Sequence, residues 1–212
     1  PRSAPATIAP VLLDSVYVAS KTKHFNVRHD SLNANGLRIW ESILDDGQFV
    51  VFGERHNSAR TSELISVLVP SLQKTGYQDI AFEIGPHSAQ KLRELSLRAA
   101  QTIHSLKAFN DKYFNETFEM EAIPFFYGVE DAEFLKKISE YKIHFWGVDQ
   151  EFYYAAHFLN DELLKLASGK PAYGQVKSNK QLLDQRINYW FEKAENSTEE
   201  IDVFAELLKE RS

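Results

Sequence analysis

Three short stretches of the chain bring titratable side chains to positions where chemistry could use them. Gly53-Glu54-Arg55-His56 follows the apolar run Phe49-Val50-Val51-Phe52 directly. Ile80-Ala81-Phe82 runs into Glu83-Ile84-Gly85, and Ile143-His144-Phe145-Trp146 runs into Gly147-Val148-Asp149-Gln150-Glu151. An imidazole beside carboxylates is equipment for general acid–base catalysis: the ring takes a proton from water near neutral pH, and a carboxylate orients it and stabilises the imidazolium. His56 is the candidate base, with Glu54 or Glu83 as its partner. Asp149 joins them if the three apolar runs are adjacent parallel strands, because such strands open their carboxyl ends onto one crevice. A helix starting near Ser58 to Thr61 would add free N–H groups that favour an anion or a developing oxyanion. Arg55, Arg60 and His87, the last placed just after Gly85-Pro86, are candidate substrate-binding groups. The competing reading makes His56 a capping residue and pairs the two glutamates with Arg55 and Arg60.

The elements that must position these groups follow from periodicity. Residues 33–44 carry Leu37, Ile39 or Trp40, and Ile43/Leu44 at near-helical spacing, before Asp45-Asp46-Gly47 and a first strand at 48–52. Leu64, Ile65, Leu68 and Leu72 mark one face of the next helix, which ends near Gly76, with Pro70 expected to kink or break it. A second strand at 79–84, a long helix at 88–108, a helix at 131–141 with Phe134, Leu135 and Ile138 inward, and a third strand at 143–148 complete the pattern. Residues 110–128 hold Phe114, Phe118, Phe125, Phe126 and Tyr127 without sustained periodicity. They read either as an aromatic loop over the strand ends or as irregular core. From Phe152 onward the chain reads as helix, at 152–168, 178–195 and 198–210. His157, on the first of these, reads as a satisfied core or surface histidine.

The expected fold class is α/β, with a central parallel-rich sheet flanked by helices and a helical C-terminal segment. Residues 1–30 would be a leader with a possible edge strand in Val11 to Ala19, 31–150 the core with the site, and 151–212 a helical extension. Three strands before residue 150 and none after would leave sheet edges bare. The sequence is therefore expected to be the N-terminal part of a larger protein, or to hide its edge in a homo-oligomer.

Composition narrows the partners. With 24 basic against 30 acidic residues and a net charge of −6, the chain lacks the basic surplus of a nucleic-acid or polybasic membrane-surface binder. A small-molecule substrate fits better. The absence of cysteine removes disulfides, thiolate catalysis and cysteine-held metals, while histidine and carboxylate metal sites stay open. No apolar stretch approaches the roughly 20 residues of a membrane span. Pro1 to Pro10 is rich in Pro, Ala and Ser, which favours an exported protein over a cytoplasmic one.

Taken together, Val51-Phe52-Gly53-Glu54-Arg55-His56, Ile80-Ala81-Phe82-Glu83 and Phe145-Trp146-Gly147-Val148-Asp149 resemble the erythromycin esterase-like family over residues 49–152. The Gly-Glu-Arg-His-Asn stretch is also similar to the related ChaN haem-binding lipoproteins, and the wider superfamily includes the TIKI metalloproteases. The resemblance implies a cleft at the strand carboxyl ends, His56 as the water-activating base, and Glu54 and Glu83 as the family's acidic positions. Arg60 stands in for the arginine that follows the first motif. Family members commonly have one more residue between the glutamate and the histidine, and a second histidine motif in a later half. The expected activity is hydrolysis of an ester or lactone, or an amide, without a cofactor. The alternatives are a divalent-metal hydrolase holding the ion on Glu54, His56, Glu83 and Asp149, and a non-enzymatic haem binder.

Overall fold

The computed structural model describes residues 14–28, 31–53, 56, 58–116 and 119–198, with Ile201, Ala205, Glu206 and Lys209 beyond them. The chain divides into two compact units, Pro1–Val50 and Val51–Ser212.

The first unit contains α1 (Ser15–Lys21), a two-residue hairpin of β1 (Val27–Arg28) and β2 (Ser31–Leu32), and α2 (Ala34–Asp46). Asp14 caps α1, its Oδ1 accepting from Tyr17 N at 2.7 Å, so residues 15–19 are helical and not the expected edge strand. Residues 11–13 lie outside the described residues. Asn33 caps α2 in the same way, through Gly36 N at 2.8 Å. Phe25 packs edge-on to Trp40 with ring centroids 6.0 Å apart.

The second unit holds α3 (Ala59–Lys74), β3 (Asp79–Phe82), α4 (Pro86–Ser96), α5 (Thr102–Tyr113), α6 (Val129–Glu140), β4 (His144–Gly147), α7 (Ala156–Ala167) and α8 (Tyr173–Glu195). The class is mixed α/β with helices dominating. Among the described residues the parallel sheet has two strands, β3 and β4, registered from Asp79 opposite His144 to Phe82 opposite Gly147. Ile80, Phe82 and Phe145 face inward, and Asp79, Ala81, His144 and Trp146 face out, so the pair is covered on one face. Phe82 lies at the centre of an aromatic cluster, 5.3 Å from Phe126, 5.8 Å from Phe134 and 5.5 Å from Phe145. Val69, Ile84, Leu92, Leu106, Leu135 and Ile138 close the core around it. A full burial of one such side chain stabilises by about 1.5–3 kcal/mol. A satellite cluster of Tyr154, Ile187, Trp190 and Phe191 joins α8 to the segment after β4.

The expected strand at 48–52 does not form: residues 49–53 carry no strand, and Phe49 and Val51 are 88% and 90% exposed. The run straddles the boundary between the two units, and an apolar run pairs only where a partner edge meets it. The helix expected at 88–108 is two helices. Leu97 is 80% exposed in the break, and the Ser139 hydroxyl from α6 donates to the Ser96 carbonyl at 2.6 Å, taking an acceptor that a continuing helix would use. Pro70 lies inside α3 without ending it. The helix expected at 198–210 falls largely outside the described residues.

Candidate functional site

The carboxyl ends of β3 and β4 stay together beyond the strands. Val148 N donates to Phe82 O and Asp149 N to Ile84 O, both at 3.1 Å. Two glycines allow this closeness. A Cβ on Gly147 would lie 2.2 Å from the Gly85 carbonyl oxygen, and one on Gly85 would overlap the Glu151 carboxylate. Glu151 itself is tied down, its Oε1 accepting from His87 N at 2.6 Å and Ser88 N at 3.2 Å, and its Oε2 accepting from the buried Ser88 hydroxyl at 2.6 Å. The start of α4, which could have received an anion, is thus filled by the chain's own carboxylate.

Beside this junction lies a cleft of about 370 Å³ lined by His56, Glu83, Ile84, Glu121, Pro124, Phe125, Asp149, Gln150 and Phe152. The structure therefore brings His56, Glu83 and Asp149 together. Glu54 and Arg55 lie outside the described residues. Arg60 does not line the cleft; its side chain is 86% exposed and pairs with Glu63 at 3.1 Å. His87 is exposed and engages Glu151 through its backbone, away from the cleft lining.

The imidazole of His56 stacks on Phe125, with centroids 4.7 Å apart and planes 15° apart. Phe125 holds φ of +69°, a left-handed conformation that costs a bulky residue about 1–2 kcal/mol. The turn that imposes it also sends the Phe125 backbone N–H to Glu121. Burial raises the Glu121 carboxyl above its ordinary range; the Phe125 N–H opposes this, and the Asp131 charge adds to it. Glu121 was not visible as a site residue in the sequence, because it sits in the aromatic stretch 110–128, where spacing gives no face. Both readings of that stretch hold in part: Phe126 is core, and Phe125 lines the cleft. Among the described residues no group of three or more His, Asp or Glu is placed to hold a metal ion.

A second cleft, also of about 370 Å³, opens among α5, α7 and α8 and shares no lining residue with the first. Asp161 accepts there from Lys112 Nζ at 2.7 Å and the Tyr113 hydroxyl at 2.6 Å, with Lys180 Nζ at 3.2 Å. Burial works to raise the Asp161 carboxyl, but hydrogen bonds from Lys112, Tyr113 and Lys180 outweigh it and hold the group at about 2. Lys180 also bonds Asp184, which lies 3.1 Å from His157 Nδ1. Burial lowers the His157 pKa, against the pull of Asp184, so the ring is neutral near pH 7. His157 belongs to this network and not to the strand-end cleft.

No helix of the described residues is long and apolar enough to cross a membrane. No family model, curated protein or solved structure matches the chain.

Proposed function

We propose that the chain is a hydrolase of the erythromycin esterase-like type, using His56 to activate water against an ester or lactone of a small molecule. The observation that carries this reading is the meeting of His56 with Glu83, Glu121 and Asp149 in one cleft at the ends of parallel strands. In the proposed reaction His56 takes a proton from water as the water oxygen adds to the carbonyl carbon. Glu121, held toward its protonated form, gives a proton to the departing alkoxide as the carbon–oxygen bond breaks. The imidazolium then returns a proton to Glu121, which restores both groups. Glu83 and Asp149 stabilise the imidazolium while it exists.

The test is hydrolysis of p-nitrophenyl butyrate and a δ-lactone by chelator-treated protein. His56→Ala is expected to lower kcat by about 10²–10⁴. Equal rates in the parent chain and His56→Ala would end the reading. Activity that appears only on adding back Mn²⁺ or Zn²⁺ would replace direct water activation by a metal-held water.

A further inference from the structure

The network of the helical cleft leaves one polar atom unanswered. His157 Nδ1, on α7, lies 3.1 Å from Asp184 Oδ1, on α8. An ionised carboxylate only accepts, so Nδ1 carries the hydrogen and Nε2 carries the lone pair. Nε2 is buried and has no hydrogen-bond partner. The smallest species that can fill such a position is a proton taken from solvent. The neighbours make that proton unwelcome. Asp184 is already shared: its Oδ1 also accepts from Asn160 Nδ2 at 3.4 Å, and its Oδ2 accepts from Lys180 Nζ. Lys180 also pairs with Asp161 at 3.2 Å, and Asp161 accepts from Lys112 and Tyr113 of α5. Tyr154 packs on the imidazole with ring centroids 4.5 Å apart, and Glu116 lines the same cleft. A proton on Nε2 would thus create a buried cation whose new N–H has no acceptor, and would set it against the Lys180 ammonium on one carboxylate. Burial outweighs the pull of Asp184 and Asp161, and the ring stays neutral until the pH falls below the ordinary histidine value.

We propose that His157 is an acid-sensitive latch: when Nε2 takes a proton, α8 loosens from α7 and from the segment 152–155, and the Phe152 side of the strand-end cleft loosens with it. The route is a run of packed rings. Tyr154, which touches His157, lies 5.8 Å from Phe191 of α8. Tyr153 lies 5.0 Å from the same Phe191 and 4.3 Å from Phe152, which lines the strand-end cleft. The sign follows from linkage. A histidine whose folded pKa is lowered supports the fold fully above its unfolded value of about 6.5, and that support is lost as pH falls toward the folded value. The latch does not depend on what the strand-end cleft catalyses.

Two measurements on the whole chain decide the matter. Imidazole nitrogen NMR should show His157 protonated on Nδ1 and bare on Nε2 near neutral pH, with a titration midpoint below the unfolded value of about 6.5. Hydrogen exchange, expressed as protection factors, should show residues 152–157 and 183–191 losing protection between about pH 7.5 and pH 5. The loss should be about tenfold for each unit by which the folded midpoint lies below the unfolded one. His157→Asn keeps a donor toward Asp184 and cannot titrate, so the same amides should keep their protection across that range. Protection unchanged in the parent chain, or lost equally in the parent and His157→Asn, would overturn the latch. The NMR titration needs no variant and decides even where His157→Asn folds poorly: a midpoint at or above the unfolded value, or a proton on Nε2 near neutral pH, would overturn it as well.

Discussion

The two clefts of the second unit are equal in volume and opposite in how they treat charge. In the helical cleft each aspartate is bonded to a lysine, and the histidine is turned by a carboxylate. In the strand-end cleft the described lining residues include Glu83, Asp149 and His56, and Glu121, whose carboxyl burial raises above its ordinary range. A network whose charges answer one another rigidifies the elements that carry it, here α5, α7 and α8. A carboxyl raised by burial, as Glu121 is, costs folding free energy and persists where a ligand or a reaction uses it. Cleft size alone therefore does not identify a functional site, and the state of its ionisable groups separates the two.

The largest stability effect should come from breaking the answered network. Asp161→Ala removes an acceptor shared by two lysines and the Tyr113 hydroxyl, and is expected to cost about 1–3 kcal/mol at pH 7 in urea unfolding. The pH dependence carries a sign. The folded carboxyl is depressed to about 2, so its contribution is complete above the unfolded value near 4 and disappears as pH falls toward 2. With screening it amounts to about 1–2 kcal/mol. The parent chain should lose that increment between about pH 4 and pH 2, and Asp161→Ala should not. Identical acid limbs in the two proteins would remove the distinction between the clefts.

Glu121→Gln should act in the opposite direction and more weakly. A carboxyl raised by burial favours the folded state most when protonated, so the parent is penalised at pH 7 and not below about pH 4. The amide should therefore stabilise the chain at pH 7, by on the order of 1 kcal/mol or less, and the gain should fade by pH 4. The same substitution should slow ester hydrolysis, since the amide cannot supply the proton. A loss of stability at pH 7 would show that the carboxylate is supported rather than strained.

The smallest effect belongs to Arg60. Its exposed pair with Glu63 should contribute under about 0.5 kcal/mol, and Arg60→Ala should leave KM unchanged because the side chain does not line the cleft. A several-fold rise in KM would return Arg60 to the substrate-binding role its sequence position suggested.

The two parallel strands and α6 were legible because their signals are local. Phe134, Leu135 and Ile138 repeat at helical spacing and are buried, and the strands end where a glycine and an acid interrupt an apolar run. The gathering of Glu83 and Asp149 followed from parallel pairing alone. What stayed hidden depended on distant partners. The break after Ser96 has no glycine or proline to announce it and depends on a serine 43 residues away. Glu151 was seen only as one of the acids after the third strand, yet its carboxylate holds the start of α4. Glu121 owes its place to the left-handed turn at Phe125, which no spacing rule foresees for an aromatic residue. Phe49 and Val51 show the reverse error, an apolar run read as a buried strand that remains exposed.

The Glu151 carboxylate also acts on the timing of motion. It fastens the turn after β3 to the turn after β4 across more than 60 positions of sequence, and Ser88, whose hydroxyl it accepts, is fully buried. Neither turn can peel away by itself without leaving that hydroxyl and two amide groups unsatisfied. The floor of the cleft is thus a single cooperative patch, opening as a whole or not at all.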